Sequence, residues 1–143
     1  MWAGNQGTFA TPEMIRSFRA RADVGATVAN DMAKAGVGIL PGCDSMVAGF
    51  CVGDELAAMV RGGMKPLTAL QTATLNPARY FGPQQTLGTV ASGRTADLVL
   101  LDANPLIDIT NVQRIRAVVV AGRFLDRKAL DSLLTQVKAA VRQ

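Results

Sequence analysis

Apolar positions spaced three and four residues apart define the first element of the chain, a long amphipathic helix. Thr11 is suited to the N-cap and Pro12 to the first helical position, so they mark its start. Gly36 is suited to a left-handed C-terminal cap. We therefore predict one helix between Thr11 and Gly36. Its predicted apolar face consists of Ile15, Phe18, Ala22, Gly25, Ala29, Met32 and Ala33.

A short apolar run follows, bounded by glycines and a proline. Val37, Ile39 and Leu40 are too few for a helix, and they predict a short buried strand. Asp44 stands just beyond the turn that ends this strand. At the carboxyl end of a strand in an α/β protein, such a carboxylate can meet a ligand or a metal. The alternative is that Asp44 caps the next helix or bonds its own loop. Both interpretations remain open at this point.

The rest of the chain divides at about residue 83 into a helical part and a strand-rich part. Residues 45–53 have no steady period and are predicted to form a loop. Glycines and prolines then delimit three short helices, over 54–60, 67–74 and 76–82, of which Pro66 opens the second and Asn76-Pro77 caps the last. Beyond them we predict strands over 86–90, 97–101 and 116–121, with turns at 91–94, 104–105 and 122–124, and a helix over 126–141.

Composition points to apolar surface that faces another chain or domain. Of the 143 residues, 49% are hydrophobic and only 18% are charged, whereas soluble chains average roughly 25% charged residues. The net charge is +4, but the arginines are scattered and are not interleaved with aromatic residues. This pattern argues against nucleic-acid binding. No apolar run approaches the ~20 residues of a membrane span, so we expect no membrane partner.

Residue usage also limits the chemistry. The sequence contains no histidine, which excludes Ser-His and Cys-His nucleophile pairs and the usual neutral-pH general base within this chain. The two cysteines, Cys43 and Cys51, can geometrically form one disulfide but make no disulfide framework. We therefore expect a cytoplasmic location.

Four groups of residues then occur in one order between residues 35 and 126. They are Gly42-Cys43-Asp44; Glu55-Leu56, Gly63, Pro66, Ala69-Leu70, Ala73-Thr74, Asn76-Pro77-Ala78 and Gly82; Leu87-Gly88, Gly93, 96–102, Asn104-Pro105-Leu106 and Asp108-Ile109; and Val118, Val120 and Gly122. In this order they resemble the C-terminal end of metal-dependent amidohydrolases of the imidazolonepropionase-like and Xaa-Pro dipeptidase-like kind. The resemblance covers roughly residues 12–126.

The resemblance implies an α/β fold, or α+β for the isolated chain. It would comprise the last βα unit of a (β/α)₈ (TIM) barrel, followed by the C-terminal strands of a small β-sandwich. The implied divisions are an arm at 1–11, barrel at 12–83, sandwich at 84–126 and a C-terminal helix at 127–143. By resemblance, Asp44 is both metal ligand and catalytic proton acceptor, while Cys43, Ser45 and Met46 form a wall of the substrate pocket.

The departures from the family pattern define the functional expectation. The family's zinc-type divalent metal is held mainly by histidines, and this chain has none, so no metal is expected on this chain alone. Eight strands close a barrel, and one is expected here. The first hypothesis is part of an amidohydrolase that acts on C–N bonds and is inactive alone. The alternative is a non-catalytic, self-associating remnant or scaffold. The expected partner is a second copy or a complementing barrel chain.

Overall fold

The computed structural model of the chain describes residues 11–42, 51–82 and 86–140. It has a helical half followed by a small sheet and a last helix. The described elements are α1 (Pro12–Lys34), α2 (Cys51–Arg61), α3 (Pro66–Thr72), α4 (Leu75–Phe81), β1 (Leu98–Leu101), a 3₁₀ helix (Ile109–Gln113), β2 (Ile115–Val120), β3 (Arg123–Leu125) and α5 (Arg127–Ala140). The fold is thus mixed α/β, with a three-stranded antiparallel sheet of order β1-β2-β3.

The predicted first helix is confirmed at both ends. The Thr11 hydroxyl accepts a hydrogen bond from the Met14 backbone N–H at 3.2 Å, which satisfies one of the free donors of the first turn. Gly36 ends α1 with a φ of 87°. There the Gly36 N–H donates to Ala33 O and the Val37 N–H to Met32 O, each at 3.0 Å, the bond pair of a Schellman motif.

The packed face of α1 differs from the predicted one. Ala26 and Asn30 are buried, whereas Gly25 and Met32 are exposed. The crossing with α2 explains the difference. A Cβ on Gly62, at the end of α2, would lie 2.5 Å from the backbone carbon of Ala26, so the two backbones meet there in close contact. A simple apolar count misses this crossing because its contacts are made by a glycine, an alanine and an asparagine.

The buried strand predicted at Val37–Leu40 is not formed. Within the described residues, positions 37–42 have no strand assignment and no ladder partner, and Val37 is 46% exposed. The physical reason is that a parallel strand depends on neighbouring strands for its backbone hydrogen bonds. Ile39 nevertheless packs against the core, so the segment is attached to the helices without a sheet around it.

The three short helices are confirmed, with shifted boundaries. Helix α2 begins at Cys51, inside the stretch predicted as loop, and α4 begins after Thr74 as N-cap residue instead of Asn76. Helix α3 starts at Pro66 as expected, and Gly82 ends α4 in the left-handed conformation with a φ of 91°. The side chain of Asn76 is consequently free to make a tertiary contact.

One core joins the helical half to the sheet half. Ile109, in the 3₁₀ helix, is 5% exposed and packs in the same cluster as Leu56, Met59 and Ala69 of α2 and α3. The sequence did not predict this 3₁₀ helix. Asp108 starts it by accepting hydrogen bonds from both the backbone N–H and the hydroxyl of Thr110, at 2.9 and 2.8 Å. In the described part of the chain, the helical half and the 3₁₀ helix thus share one core.

The sheet confirms two of the three predicted strands. Leu98 pairs with Val119 and Leu100 with Ala117 in the β1–β2 ladder, and β3 continues the strand-rich region after a two-residue turn. Residues 86–90 form no strand. Instead, the Thr95 N–H donates to Thr86 O at 2.8 Å, and Gly88, with a φ of 86°, lies close to Ala78 of α4. Packing on α4 replaces the predicted strand.

Helix α5 is attached at its beginning and exposed along its length. Its first turn is capped by Asp126, whose carboxylate accepts from the Ala129 N–H at 2.8 Å. The Arg127 guanidinium donates to Ile115 O of β2 at 2.7 Å. No residue of α5 is buried within the described structure, although Leu133 and Val137 are apolar and exposed. No helix in residues 11–42, 51–82 or 86–140 is long and apolar enough to cross a membrane.

Candidate functional site

The predicted site residues lie just beyond a well-anchored segment. Asp44, Cys43, Ser45 and Met46 fall outside the described residues, since the described chain stops at Gly42 and resumes at Cys51. The roles assigned to these four residues therefore remain predictions. Cys51, where the described chain resumes, is disulfide-bonded. The structure does describe how the segment that leads to them is held.

Two side chains from different helices hold the backbone of residues 37–42. The Asn76 side-chain amide, on α4, donates to Ile39 O at 2.9 Å in a part-buried contact. The Gly42 N–H donates to Glu55 Oε1, on α2, also at 2.9 Å. Side-chain hydrogen bonds here replace the ladder bonds of a strand. The segment is therefore held against α2 and α4 at Gly42 and Ile39.

Glu55 has an unusual environment for a carboxylate. Glu55 is half-buried and precedes Leu56 and Ala57 of the core, which are 4% and 8% exposed. Within the described residues, Glu55 Oε2 is buried without a hydrogen-bond partner. Buried polar atoms are ordinarily paired, and an unpaired one destabilises the fold. In the sequence, Glu55 stands out only as part of the Glu55-Leu56 pair. The one signal of its tertiary contact is a charged residue next to two apolar residues.

A small cavity opens beside the held segment. It has a volume of about 270 Å³ and is lined by Gly38, Leu40, Asn76, Arg79 and Tyr80. Tyr80 and its neighbour Phe81 are 73% and 74% exposed, and their rings make an edge-to-face contact with centroids 5.0 Å apart. Two adjacent aromatic side chains this exposed form an apolar surface next to the segment.

The described residues do not by themselves fit a metal ion. Residues 11–42, 51–82 and 86–140 contain no group of three or more His, Cys, Asp or Glu side chains placed to hold one. The full sequence contains no histidine. A catalytic zinc site typically takes three protein ligands, with an open position for water. We therefore derive no reaction step through a metal held by this chain alone.

The acidic residues around the sheet have structural roles. The Arg116 guanidinium donates to Asp102 at 2.6 Å, and Asp97 accepts from the Ala121 N–H at 3.0 Å. The hydroxyl of Thr110, and then its backbone N–H, hold the pKa of Asp108 below its ordinary value of 3.8. Each carboxylate supports a turn or a strand, so none of the three indicates a catalytic role.

Residues of the helical half, the sheet and α5 together line a large apolar groove. Its volume is about 1320 Å³. Its walls include Leu56, Leu70, Leu98, Leu101, Leu130 and Leu134. Strand β1 is at the edge of the described sheet, and its residues Val99 and Leu100 are 56% and 55% exposed. Apolar walls beside an unpaired strand edge are a surface suited to further protein packing.

Comparison with known proteins agrees with the resemblance in sequence order. A family model described as "Amidohydrolase family" matches residues 5–125. Because that match spans most of the chain, the protein belongs to the amidohydrolase family, whose members are metal-dependent.

The relatives and solved structures are all much longer than the matched region. Adenine deaminase 3 of Rhizobium meliloti (strain 1021) is 44% identical over 68 residues, which are 48% of this chain and 10% of that protein. Ochratoxinase of Aspergillus niger is 42% identical over 86 residues, covering 59% and 18% respectively. A crystal structure of a Xaa-Pro dipeptidase with bound methionine in the active site superposes with a TM-score of 0.63 and 28% identity, over 71% of this chain and 25% of that one.

The chain thus spans between a tenth and a quarter of these proteins. The similarity extends to three-dimensional structure, as the TM-score of 0.63 shows. The activities that the names of these relatives describe are those of much longer chains.

Proposed function

We propose that this chain supplies the C-terminal part of a metal-dependent amidohydrolase that cleaves C–N bonds, and that it is inactive without the remainder of the barrel. The observation that carries the proposal is the held segment: in a member of the amidohydrolase family, side chains of α2 and α4 fasten the backbone that leads directly to Asp44. Such fastening is typical of a segment that must present a side chain in one position.

In this proposal Asp44 is the reactive carboxylate of the chain. It accepts a proton from the attacking water, a role for which a carboxylate within hydrogen-bond reach is suited. Cys43, Ser45 and Met46 form part of the substrate pocket wall. The histidines that a family metal centre requires come from the remainder of the fold, because this sequence has none.

The groove supports the proposal that another polypeptide segment completes the structure. Its walls are contributed by two separate halves of the molecule, α2 and α3 on one side and the sheet and α5 on the other. We infer that the occupant is an apolar strand that pairs with the free edge of β1, as in β-strand addition. It would cover Val99 on the exposed sheet and Leu133 on α5.

A chimera tests the proposed function. Residues 12–126 of this chain replace the corresponding segment of Aspergillus niger ochratoxinase, with which 86 residues of the chain align. We expect the chimera to fold and to retain part of the parent activity. Asp44→Asn in the chimera should lower kcat by about 10²–10⁴-fold, the range for loss of a general base.

Asp54→Asn is the matched control, because Asp54 is an exposed acid on α2 that accepts a hydrogen bond from Gln113 at 2.7 Å. It should leave kcat within about twofold, well inside the factor of ten that 1.36 kcal/mol represents. An inactive chimera, or equal activity for Asp44→Asn and its parent, contradicts the proposal.

The second candidate is a non-catalytic, self-associating protein, which the exposed sheet edges favour. Symmetric antiparallel pairing of two β1 strands about their centre would place Asp97 opposite Asp102 of the second copy, and like charges in such positions are destabilising. Pairing through β3, where Phe124 is 66% exposed, avoids this conflict. Light scattering tests it: a stable dimer that Phe124→Asp dissociates supports self-association, and a monomer excludes it.

A further inference from the structure

At the end of the held segment, only one of the two carboxylate oxygens of Glu55 is hydrogen-bonded within the described residues. Glu55 reaches across 13 residues of sequence to accept the Gly42 N–H through Oε1 at 2.9 Å. Its other oxygen is buried and, in the described part of the chain, meets no donor. A buried polar atom without a hydrogen-bond partner destabilises the fold. The arrangement is therefore complete on one side only.

The position of Glu55 on its helix fixes this geometry. The adjacent residues Leu56 and Ala57 belong to the buried core cluster together with Met59, so α2 cannot rotate to expose Glu55 without exposing that core. The preceding residue, Asp54, already faces solvent and bonds Gln113. The Asp54 carboxylate is thus hydrogen-bonded at the surface, whereas the packing of α2 keeps Glu55 partly buried.

We propose that Glu55 is a positioning residue with two roles. Through Oε1 it fixes the Gly42 backbone, two residues before Asp44. Through Oε2 it accepts a hydrogen bond from a nitrogen donor, a backbone or side-chain N–H, that the remainder of the fold supplies. The second role rests on the proposed function, because it needs that remainder. The first role depends on this chain alone.

The chemistry of Glu55 Oε2 determines which kind of hydrogen-bond donor we propose for it. A carboxylate oxygen makes its strongest hydrogen bonds with N–H donors, and a charged donor roughly doubles their strength. Among the described residues, no basic side chain bonds Glu55, and Arg116, Arg127 and Lys34 already pair with Asp102, Asp131 and Asp31. A donor from outside the described residues is the simplest way to satisfy Oε2.

Two substitutions separate the two roles. Glu55→Ala removes both oxygens. Glu55→Gln keeps one oxygen to accept from Gly42 but places an NH₂ group where Oε2 was, so it can no longer accept from an incoming donor. Asp54→Asn, on the same helix, is the control for a change of charge alone.

The first readout is amide hydrogen exchange at Gly42 in the full 143-residue chain. Glu55→Ala should accelerate exchange at Gly42 by at least about tenfold, the factor that 1.4 kcal/mol of lost hydrogen bonding represents. Glu55→Gln and Asp54→Asn should leave it within about twofold, well inside that factor. Equal exchange in the parent chain and in Glu55→Ala overturns the fixing role. If Glu55→Ala does not fold, faster exchange in Glu55→Gln than in Asp54→Asn overturns it instead.

The second readout is the sign of the change in melting temperature. In the isolated chain, Glu55→Gln should raise Tm by roughly 4 °C, since it replaces a buried carboxylate oxygen that has no donor with a neutral group. In the ochratoxinase chimera, where the remainder of the fold is present, the same substitution should lower Tm. A lower Tm in the isolated chain, or a higher one in a folded chimera, overturns the acceptor role. An unfolded chimera contradicts the proposed function, while exchange at Gly42 still decides the first role.

Discussion

At the scale of single residues, close backbone approach and hydrogen-bond pairing explain where the sequence places small and polar side chains. Gly62 permits the contact between α1 and α2, since any Cβ there would overlap Ala26. Glycine at position 25 has no such role, because nothing lies within 4 Å of a Cβ built there. The two glycines thus look alike in sequence but differ physically.

The first prediction compares these two glycines. Gly62→Ala should destabilise the protein by about 1–3 kcal/mol, because the new methyl group overlaps the α1 backbone. Gly25→Ala should stabilise it by about 0.5–1 kcal/mol, because alanine is favoured over glycine inside a helix. Urea unfolding with a common m-value measures both changes. Equal midpoints for the two variants would show that the helix crossing is not as described.

A second prediction concerns the 3₁₀ helix. The Thr110 hydroxyl is the main cause of the lowered pKa of Asp108, so Thr110→Val should move that pKa back toward 3.8. A lowered folded-state pKa contributes stability that is present above the unfolded value and lost as pH falls through the folded value. Thr110→Val should therefore be less stable than the parent above the unfolded pKa, and its stability should fall less as the pH is lowered.

Titration of the Asp108 carboxyl carbon by NMR measures the shift directly. Thr135→Val is the control, because the Thr135 hydroxyl donates to Asp131 O on α5, away from Asp108. An unchanged pKa of Asp108 in Thr110→Val, or an equal shift in Thr135→Val, would assign the cause elsewhere.

At the scale of elements, local signals predicted the helices well and the strands unevenly. Thr11, Pro12 and Gly36 act within one or two turns of α1, so the sequence contains all that determines its ends. The strand at 37–40 requires partners from far along a chain, and no pattern within ten residues reports whether those partners exist. β-Branched residues at 118–120 had a partner nearby in β3, and that strand formed as predicted.

The candidate site was predictable to a similar extent. The motif around Gly42 located the segment that leads to Asp44, but not its contacts. Asn76 and Glu55 hold it across 37 and 13 residues of sequence, and such long-range hydrogen bonds leave no periodic signal. Asn76 was interpreted as a helix cap because asparagine favours that position, whereas its amide bonds Ile39 O.

The hairpin between β2 and β3 yields a prediction at this scale. Its two-residue turn, Ala121-Gly122, has φ values of 48° and 74°, and positive φ at both residues is the requirement of a type I′ turn. Alanine is unfavourable in that conformation, and asparagine is preferred. Ala121→Asn should stabilise the protein by roughly 0.5–1 kcal/mol.

Gly122→Ala provides the matched opposite change. It places a Cβ at a φ of 74° and should destabilise the protein by about 1–2 kcal/mol. Thermal unfolding of both variants gives the signs. If Ala121→Asn and Gly122→Ala shift Tm in the same direction, the turn does not have the described conformation.

At the scale of the whole molecule, the exposed apolar surface and the incomplete chemistry have a common explanation. Tyr80 and Phe81 on α4, Val99 on β1 and Val137 on α5 are all more than half exposed. The chain that carries them spans between a tenth and a quarter of the family members it matches. Under the proposed function, the exposed apolar surface and the absent histidines have one cause, namely that the remainder of the barrel is supplied by another part of the fold.

The most direct test of this account is hydrolysis of amide bonds by the purified 143-residue chain alone. Zn²⁺ is supplied in the buffer, and Xaa-Pro dipeptides and N-acyl amino acids serve as substrates. The account predicts no turnover above the protein-free buffer, because one carboxylate without histidines cannot assemble the site. Turnover that increases with protein concentration and is lost in Asp44→Asn would contradict it.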